Sequence, residues 1–143
     1  MSFKFNPFTG TFDLVNEEAA GSLSSERLEV DRVATGAIAI YDPVSLVSST
    51  NVSTSGVSSD SSARVFGIAL SAANNGETLT ILMFGNIEDP AFTFALNKSL
   101  FQSLAGPISD QSTTIVGEFF CLVGRSNGTG SIFVNPGIPT EVL

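Results

Sequence analysis

The sequence predicts an all-β domain, a small antiparallel β-sandwich or barrel with an extended N-terminal arm. Two observations favour this class: apolar residues recur with a period of two, and turn-forming residues interrupt these segments about every 8 to 12 positions. The composition agrees, because only 14% of the residues are charged and 43% are apolar, while Ser, Thr, Gly and Asn are abundant. Such a mixture suits short strands that are joined by many turns.

Within the domain, strands are predicted over seven segments, at residues 37–41, 65–70, 78–84, 92–96, 99–101, 113–123 and 131–134, with a short continuation of the first at residues 44–47. Asn75-Gly76 lies between the second and third of these and is a strong hairpin signal. Gly85-Asn86 is predicted to end the third strand in a turn. Residues 48–63 are rich in serine and predict a long polar loop, or a solvated hairpin, with almost no core residues.

The chain is predicted to divide into three parts: an arm at residues 1–15, an acidic linker at residues 16–32 and a β-domain at residues 33–143. The arm alternates aromatic and polar residues on both sides of a turn at residues 6–10, so we expect a small hairpin or hook with an aromatic face. In the linker, Gly21 and several serines interrupt any long helix. At most a short helical turn is predicted there, at residues 24–28.

Phe3, Phe5, Phe8 and Phe12 place four of the twelve phenylalanines in the first twelve residues. Two interpretations are open. The rings complete the core of the same chain as a first strand, or they anchor the arm in a neighbouring subunit or a larger assembly. Burial of one such ring contributes roughly 1.5–3 kcal/mol, and the acidic linker that follows favours the anchor.

Catalytic and metal-binding functions have little support in the composition. The chain contains no histidine, which removes the commonest general base and metal ligand. Glu88-Asp89, with Asn86, is the best carboxylate cluster, but it precedes Pro90 and is explained by a turn. A glycosidase pair or a Ca²⁺ site at this position is therefore disfavoured. We expect no enzymatic activity, no cofactor and no metal.

The net charge of −8 and the six Lys and Arg residues argue against nucleic acid and against anionic membranes, because the cations are scattered along the chain. Cys121 is the only cysteine, which excludes an internal disulfide, and we expect it to be a small buried hydrophobe. No secretory signal and no apolar run long enough to span a membrane are recognised, so synthesis in a cytoplasm is expected.

Residues 3–15, FKFNPFTGTFDLV, resemble an N-terminal signature of short structural proteins of tailed bacteriophages, cyanophages among them. In those proteins the phenylalanine-rich start precedes different C-terminal regions. The resemblance implies a docking peptide for a shared site on the virion. It assigns partner docking to six residues, Phe3, Phe5, Pro7, Phe8, Gly10 and Phe12.

A second resemblance covers roughly residues 36–143. The similarity is to a β-module of phage fibre and capsid-decoration proteins, including the lambda-type decoration proteins. The residues that carry it are 65–70, Ala72-Ala73, Gly76-Glu77, 79–81 and Gly85, followed by a closing part of Val123-Gly124, residues 132–135 and a proline near the C-terminus. This resemblance implies homotrimers.

Two virion roles are open. One is a fibre-like or baseplate/tail-associated appendage that docks through the arm and contacts a host surface glycan. The other is a capsid decoration, or cement, protein that stabilises the head lattice. The expected partners are further copies of the chain and either tail/baseplate proteins or the major capsid protein. The expected location is the virion, after synthesis in the host cytoplasm. An unrelated enzyme or soluble binding module is the third and least favoured class.

Overall fold

The computed structural model describes residues 2–6, 11–15, 27–103 and 107–143. It is nearly all-β, with 42% strand and 4% helix, which confirms the predicted class. The elements are β1 (Ser2–Asn6), β2 (Thr11–Val15), β3 (Leu28–Ala34), β4 (Pro43–Leu46), β5 (Asn51–Thr54), α1 (Asp60–Ala63), β6 (Gly67–Ala69), β7 (Thr78–Glu88), β8 (Ser99–Phe101), β9 (Phe119–Phe120), β10 (Leu122–Ser126), β11 (Ser131–Val134) and β12 (Thr140–Glu141).

Eight strands form one sheet in the order β3-β5-β4-β6-β7-β11-β10-β8. An additional pairing between β3 and β7 closes the first five of these strands into a ring. The remaining strands, β11, β10 and β8, extend from β7. All pairings in the sheet are antiparallel except that of β3 with β5, which is parallel and makes the sheet mixed. The ring corresponds to the predicted small barrel, and the parallel pair is a departure from the predicted antiparallel sheet.

β7 is the longest strand, with eleven residues, and it pairs with β3, β6 and β11. The register against β3 shifts near its middle, because Leu28 opposes Phe84 whereas Glu29 opposes Leu82. β7 therefore carries one extra residue at Met83. Such a bulge bends a strand and changes the face on which the following residues lie.

Two clusters of buried residues follow from this geometry. The ring core is contributed by all five ring strands and consists of Ala34, Ile38, Val44, Val52, Ala69, Ala73, Leu79 and Ile81. The extension core consists of Val65, Ile68, Leu82, Ile87, Phe92, Leu100, Cys121, Val123, Ile132 and Val134. Leu79 and Ile81 belong to the ring core. Leu82, on the opposite face just before the bulge, and Ile87, beyond the bulge, belong to the extension core.

The strand predicted at residues 37–41 is wrong. Within this segment only Ile38 forms a bridge, to Ala73, and Tyr41 adopts a left-handed backbone with a φ of 66°. The Asp42 carboxylate accepts a hydrogen bond from the Ala39 backbone N–H at 3.0 Å, which closes the segment into a turn. The apolar pattern of this segment therefore does not mark a strand. Its one fully buried side chain is Ile38, and the rest of the segment is an irregular connection.

The solvated loop predicted at residues 48–63 is also wrong in part. β5 and α1 lie within it, and Val52 and Val57 are almost fully buried. Ser59 caps α1 by accepting a hydrogen bond from the Ser62 backbone N–H, which is a frequent role of serine at helix N-termini. Serines in this segment therefore form turns and caps around a few buried valines.

Other boundaries differ from the predictions. β3 begins at Leu28, so residues 28–32 belong to the sheet and not to the predicted linker. Residues 16–26 of the linker, with most of its predicted helical turn, lie outside the described residues. Gly85-Asn86 does not turn: Gly85, at a φ of 131°, continues β7 and opposes Val134. In the predicted strand at residues 113–123, pairing begins only at Phe119. The predicted strand at residues 92–96 is wrong, since this segment is irregular and ends in a turn. The Asn75-Gly76 turn is confirmed, with Gly76 at a φ of 86°.

Gly124 allows β10 and β11 to approach closely. A Cβ atom at this position would overlap the carbonyl oxygen of Phe133 and lie 2.9 Å from its carbonyl carbon. We therefore expect Gly124→Ala to lower the free energy of unfolding by about 1–3 kcal/mol, the usual cost of overpacking. Urea unfolding measures this change. Gly56→Ala is the control, because its Cβ would meet only ordinary contacts at 3.6 Å, and equal stabilities of the two variants would contradict the account.

Candidate docking surfaces

The predicted N-terminal hairpin is present as β1 and β2. The two strands are antiparallel, with Phe3 opposite Leu14 and Phe5 opposite Phe12. They form a two-stranded sheet of their own, and within the described ranges neither strand pairs with another strand. Of the six predicted docking residues, Pro7, Phe8 and Gly10 lie outside the described residues.

The register of the hairpin fixes which residues share a face. Directly opposed residues of an antiparallel pair, and residues two apart in one strand, lie on the same face. Phe3, Phe5, Phe12 and Leu14 are therefore assigned to one face of the ribbon. This is the arrangement that the alternating pattern of the arm predicts.

A second apolar surface lies on the β-domain, and the sequence did not predict it. It consists of Leu28, Phe84, Phe133 and Arg125, and we call it the aromatic band. Leu28 and Phe84 are 53% and 44% exposed. The rings of Phe84 and Phe133 meet edge to face, with centroids 5.1 Å apart. The Arg125 guanidinium lies 5.6 Å from the centroid of Phe133, within the range of a cation–π contact.

Strand pairing builds the aromatic band. Leu28 of β3 opposes Phe84 of β7, and Phe133 of β11 opposes Arg125 of β10. Ile132 and Val134 alternate with Phe133 along β11 and are buried in the extension core. The band thus occupies the sheet face opposite that core. In the sequence alone, the band would have been indicated only by two phenylalanines, Phe84 and Phe133, that are distant along the chain.

Two opposite charges belong to the same face as the band. Glu88 follows Phe84 and Asn86 at alternate positions of β7 and is exposed, as is Arg125 on β10. Between them the Asn127 amide donates a hydrogen bond to Asn86 Oδ1 at 2.9 Å. Within the described part of the chain, neither Glu88 nor Arg125 has an ion-pair or hydrogen-bond partner for its side chain.

A groove of about 540 Å³ lies between α1 and the segment that follows β11. Its apolar lining includes Leu46, Phe66 and Met83, and Asp60 and Arg64 of its polar wall pair with each other at 3.1 Å. The volume is in the range of small-molecule sites. Because the two charges neutralise each other, the groove offers a ligand no free charge from this pair.

Of the Glu88-Asp89 cluster, Glu88 ends β7, and only Asp89 lies in the predicted turn, where its carbonyl accepts a hydrogen bond from the Phe92 backbone N–H at 3.0 Å. The Tyr41 hydroxyl donates to Asp89 Oδ2 at 2.5 Å, and the Ala91 backbone N–H donates to Oδ1 at 2.8 Å. The hydrogen bond from Tyr41, followed by that from Ala91, lowers the pKa of Asp89 below its usual value. The same bond to Asp89, together with burial, raises the pKa of Tyr41. This pairing is a structural contact that links the start of β4 to the end of β7.

Cys121 is buried, as predicted, and burial raises the pKa of its thiol. Its backbone N–H donates to the buried amide oxygen of Gln102 at 2.5 Å. Among the described residues, no three Cys, Asp or Glu side chains are grouped so that they could hold a metal ion. The described part of the chain also contains no helix long and apolar enough to cross a membrane.

No protein-family model matches the chain, and no curated protein matches it significantly.

Replacing Tyr41 with Phe tests the Tyr41–Asp89 bond. Since the folded pKa of Asp89 is lowered, its contribution to stability is present above the unfolded pKa of about 3.9 and is lost as pH falls through the folded pKa. Tyr41→Phe should therefore lower the Tm at pH 7, and the difference from the parent chain should shrink below about pH 4. Thermal unfolding at pH 7 and pH 2.5 measures both, and a difference that stays constant would contradict this assignment.

Proposed function

We propose that this chain is a bacteriophage virion structural protein, a small fibre-like or baseplate/tail-associated appendage that docks on the particle through its N-terminal hairpin. The observation that supports the proposal most is the hairpin register, which assigns Phe3, Phe5 and Phe12 to one face. A two-stranded ribbon that pairs with no other described strand is a suitable anchor for a preformed groove in another protein.

In the proposed appendage, the hairpin binds a tail or baseplate protein and the β-domain is displayed. The turn between β4 and β5 supports the display, because Val47 and residues 48–50 are exposed. This tip is available for contact with a host surface glycan. The role is one of binding and assembly and not of catalysis, it requires no cofactor, and further copies of the chain, as a homotrimer, are among the proposed partners.

The charge distribution agrees with protein partners. Arg27 pairs with Glu29 at 3.0 Å and Arg64 pairs with Asp60 at 3.1 Å. Over the whole sequence, six Lys and Arg stand against fourteen Asp and Glu, which gives a net charge of −8. Phosphate-backbone binding needs clustered free cations, so nucleic acid is not a proposed partner.

A capsid decoration protein is the second candidate. The aromatic band favours it, because a cement protein covers part of its β-domain against the head lattice, and such a contact would cover the exposed apolar residues Leu28 and Phe84. The proposed location is the virion in both cases. The two candidates differ in the position of the protein on the particle.

Immunogold electron microscopy of purified particles of the encoding phage separates these roles. Gold at the tail or baseplate is the expected result, gold over the head would favour the decoration protein, and particles without label would contradict both. Complementation with a Phe3→Ser/Phe5→Ser/Phe12→Ser chain should abolish labelling. Leu96→Ser is the control, because Leu96 is 66% exposed on the β-domain, and equal incorporation of the two variants would exclude the hairpin as the anchor.

A further inference from the structure

The aromatic band combines features that protein interfaces share. Exposed aromatic residues and arginine are enriched at the centres of interfaces, where they supply most of the binding energy. Phe84 and Leu28 are exposed, and Arg125 is stacked on Phe133 and therefore held in place. An exposed apolar surface that polar and charged residues flank is typical of an interaction site.

The charges around the band indicate which partner fits. Arg125 and Glu88 belong to the same sheet face, are both exposed, and have no ion-pair partner among the described residues. When two identical faces meet, the cation of each copy can pair with the anion of the other copy. Such a surface is self-complementary, as an isologous (two-fold) contact requires.

The positions of these residues permit that contact. On an ideal sheet, with strands about 4.8 Å apart and residues about 3.4 Å apart, the Cα atoms of Arg125 and Glu88 are separated by about 12 Å. A two-fold axis that lies parallel to the sheet, between two facing copies, can place Arg125 of each copy over Glu88 of the other. In projection onto the sheet, this axis passes within about 2 Å of the Cα positions of Phe84 and Phe133. Two copies related by this axis bring their aromatic residues together at the centre and form an Arg125–Glu88 pair on each side.

The extent of the surface is adequate for the centre of an interface. The band crosses β3, β7, β11 and β10, which is about 15 Å, and Phe84 to Glu88 extends about 14 Å along β7. A stable interface buries about 800 Å² per partner, of which the apolar centre is the smaller part and a polar rim is the remainder.

We propose that the aromatic band is a self-association surface, on which a second copy of this chain packs by a two-fold contact that places Arg125 of each copy against Glu88 of the other. The inference is based on the sheet face and does not depend on the docking role of the hairpin. A two-fold contact gives dimers, or joins two trimers into a hexamer if the chain is also trimeric.

Sedimentation equilibrium of the full chain across a concentration series tests the proposal. An even-numbered oligomer is expected, and Phe84→Ser should raise its dissociation constant at least about tenfold, as loss of an interface anchor does. Ile115→Ser is the matched control, since Ile115 is also exposed but lies outside the sheet. A chain that is monomeric at all concentrations would overturn the proposal, as would association that Phe84→Ser leaves unchanged.

Charge exchange distinguishes this contact from a purely structural effect of the aromatic residue. Arg125→Glu and Glu88→Arg should each weaken association, because each places like charges against one another across the two-fold axis. The double variant restores opposite charges and should regain most of the affinity. Both residues are exposed, so the variants are expected to fold, and a double variant as weak as the single variants would contradict the assigned pairing.

Discussion

The bulge in β7 is the feature on which the rest of the domain depends. It lies opposite the step between Leu28 and Glu29, where β7 carries one residue more than β3. On the N-terminal side of the bulge, β7 closes a ring of five strands. On its C-terminal side, β7 pairs with β11, which continues the sheet to β10 and β8. One strand therefore divides its buried side chains between two cores, and neither core is complete without it.

The same bulge creates the exposed surface. The extension core lies on one side of β11 and β10, so Phe133 and Arg125 must lie on the other. Phe84 follows the bulge and joins them, with Leu28 as its cross-strand neighbour. The aromatic band is thus a direct consequence of how β7 serves two cores, and its apolar character is not needed for either of them.

Much of the fold could be predicted from the sequence. The Asn75-Gly76 turn, the start of β7, the strand at Ser131–Val134 and the burial of Cys121 all follow from local patterns, because turn residues and period-two alternation act over a few positions. The pairing of β1 with β2 was predictable for the same reason. In each case the local preference and the tertiary structure agree.

The remainder depended on contacts that are distant in sequence. Gly85-Asn86 has the composition of a turn, but pairing with β11 keeps it extended. Val52 and Val57 are isolated among serines, so the local sequence gives no sign that they are buried. Their burial results from contacts with the closed ring and the segments packed around it. The aromatic band could not be predicted, since the face on which Phe84 lies is decided by a bulge that the continuous apolar run at residues 81–84 does not reveal.

The central claim is that the N-terminal hairpin docks on another protein and does not complete the core of its own chain. Urea unfolding of the parent chain and of the Phe3→Ser/Phe5→Ser/Phe12→Ser variant, under conditions where both are monomeric, tests this claim most directly. The account predicts equal free energies of unfolding, because a hairpin that docks on another protein adds no contact to the two described cores, whose buried residues lie between Ala34 and Val134. A loss of about 3–5 kcal/mol for even one of these rings, as buried phenylalanines show on truncation, would contradict it.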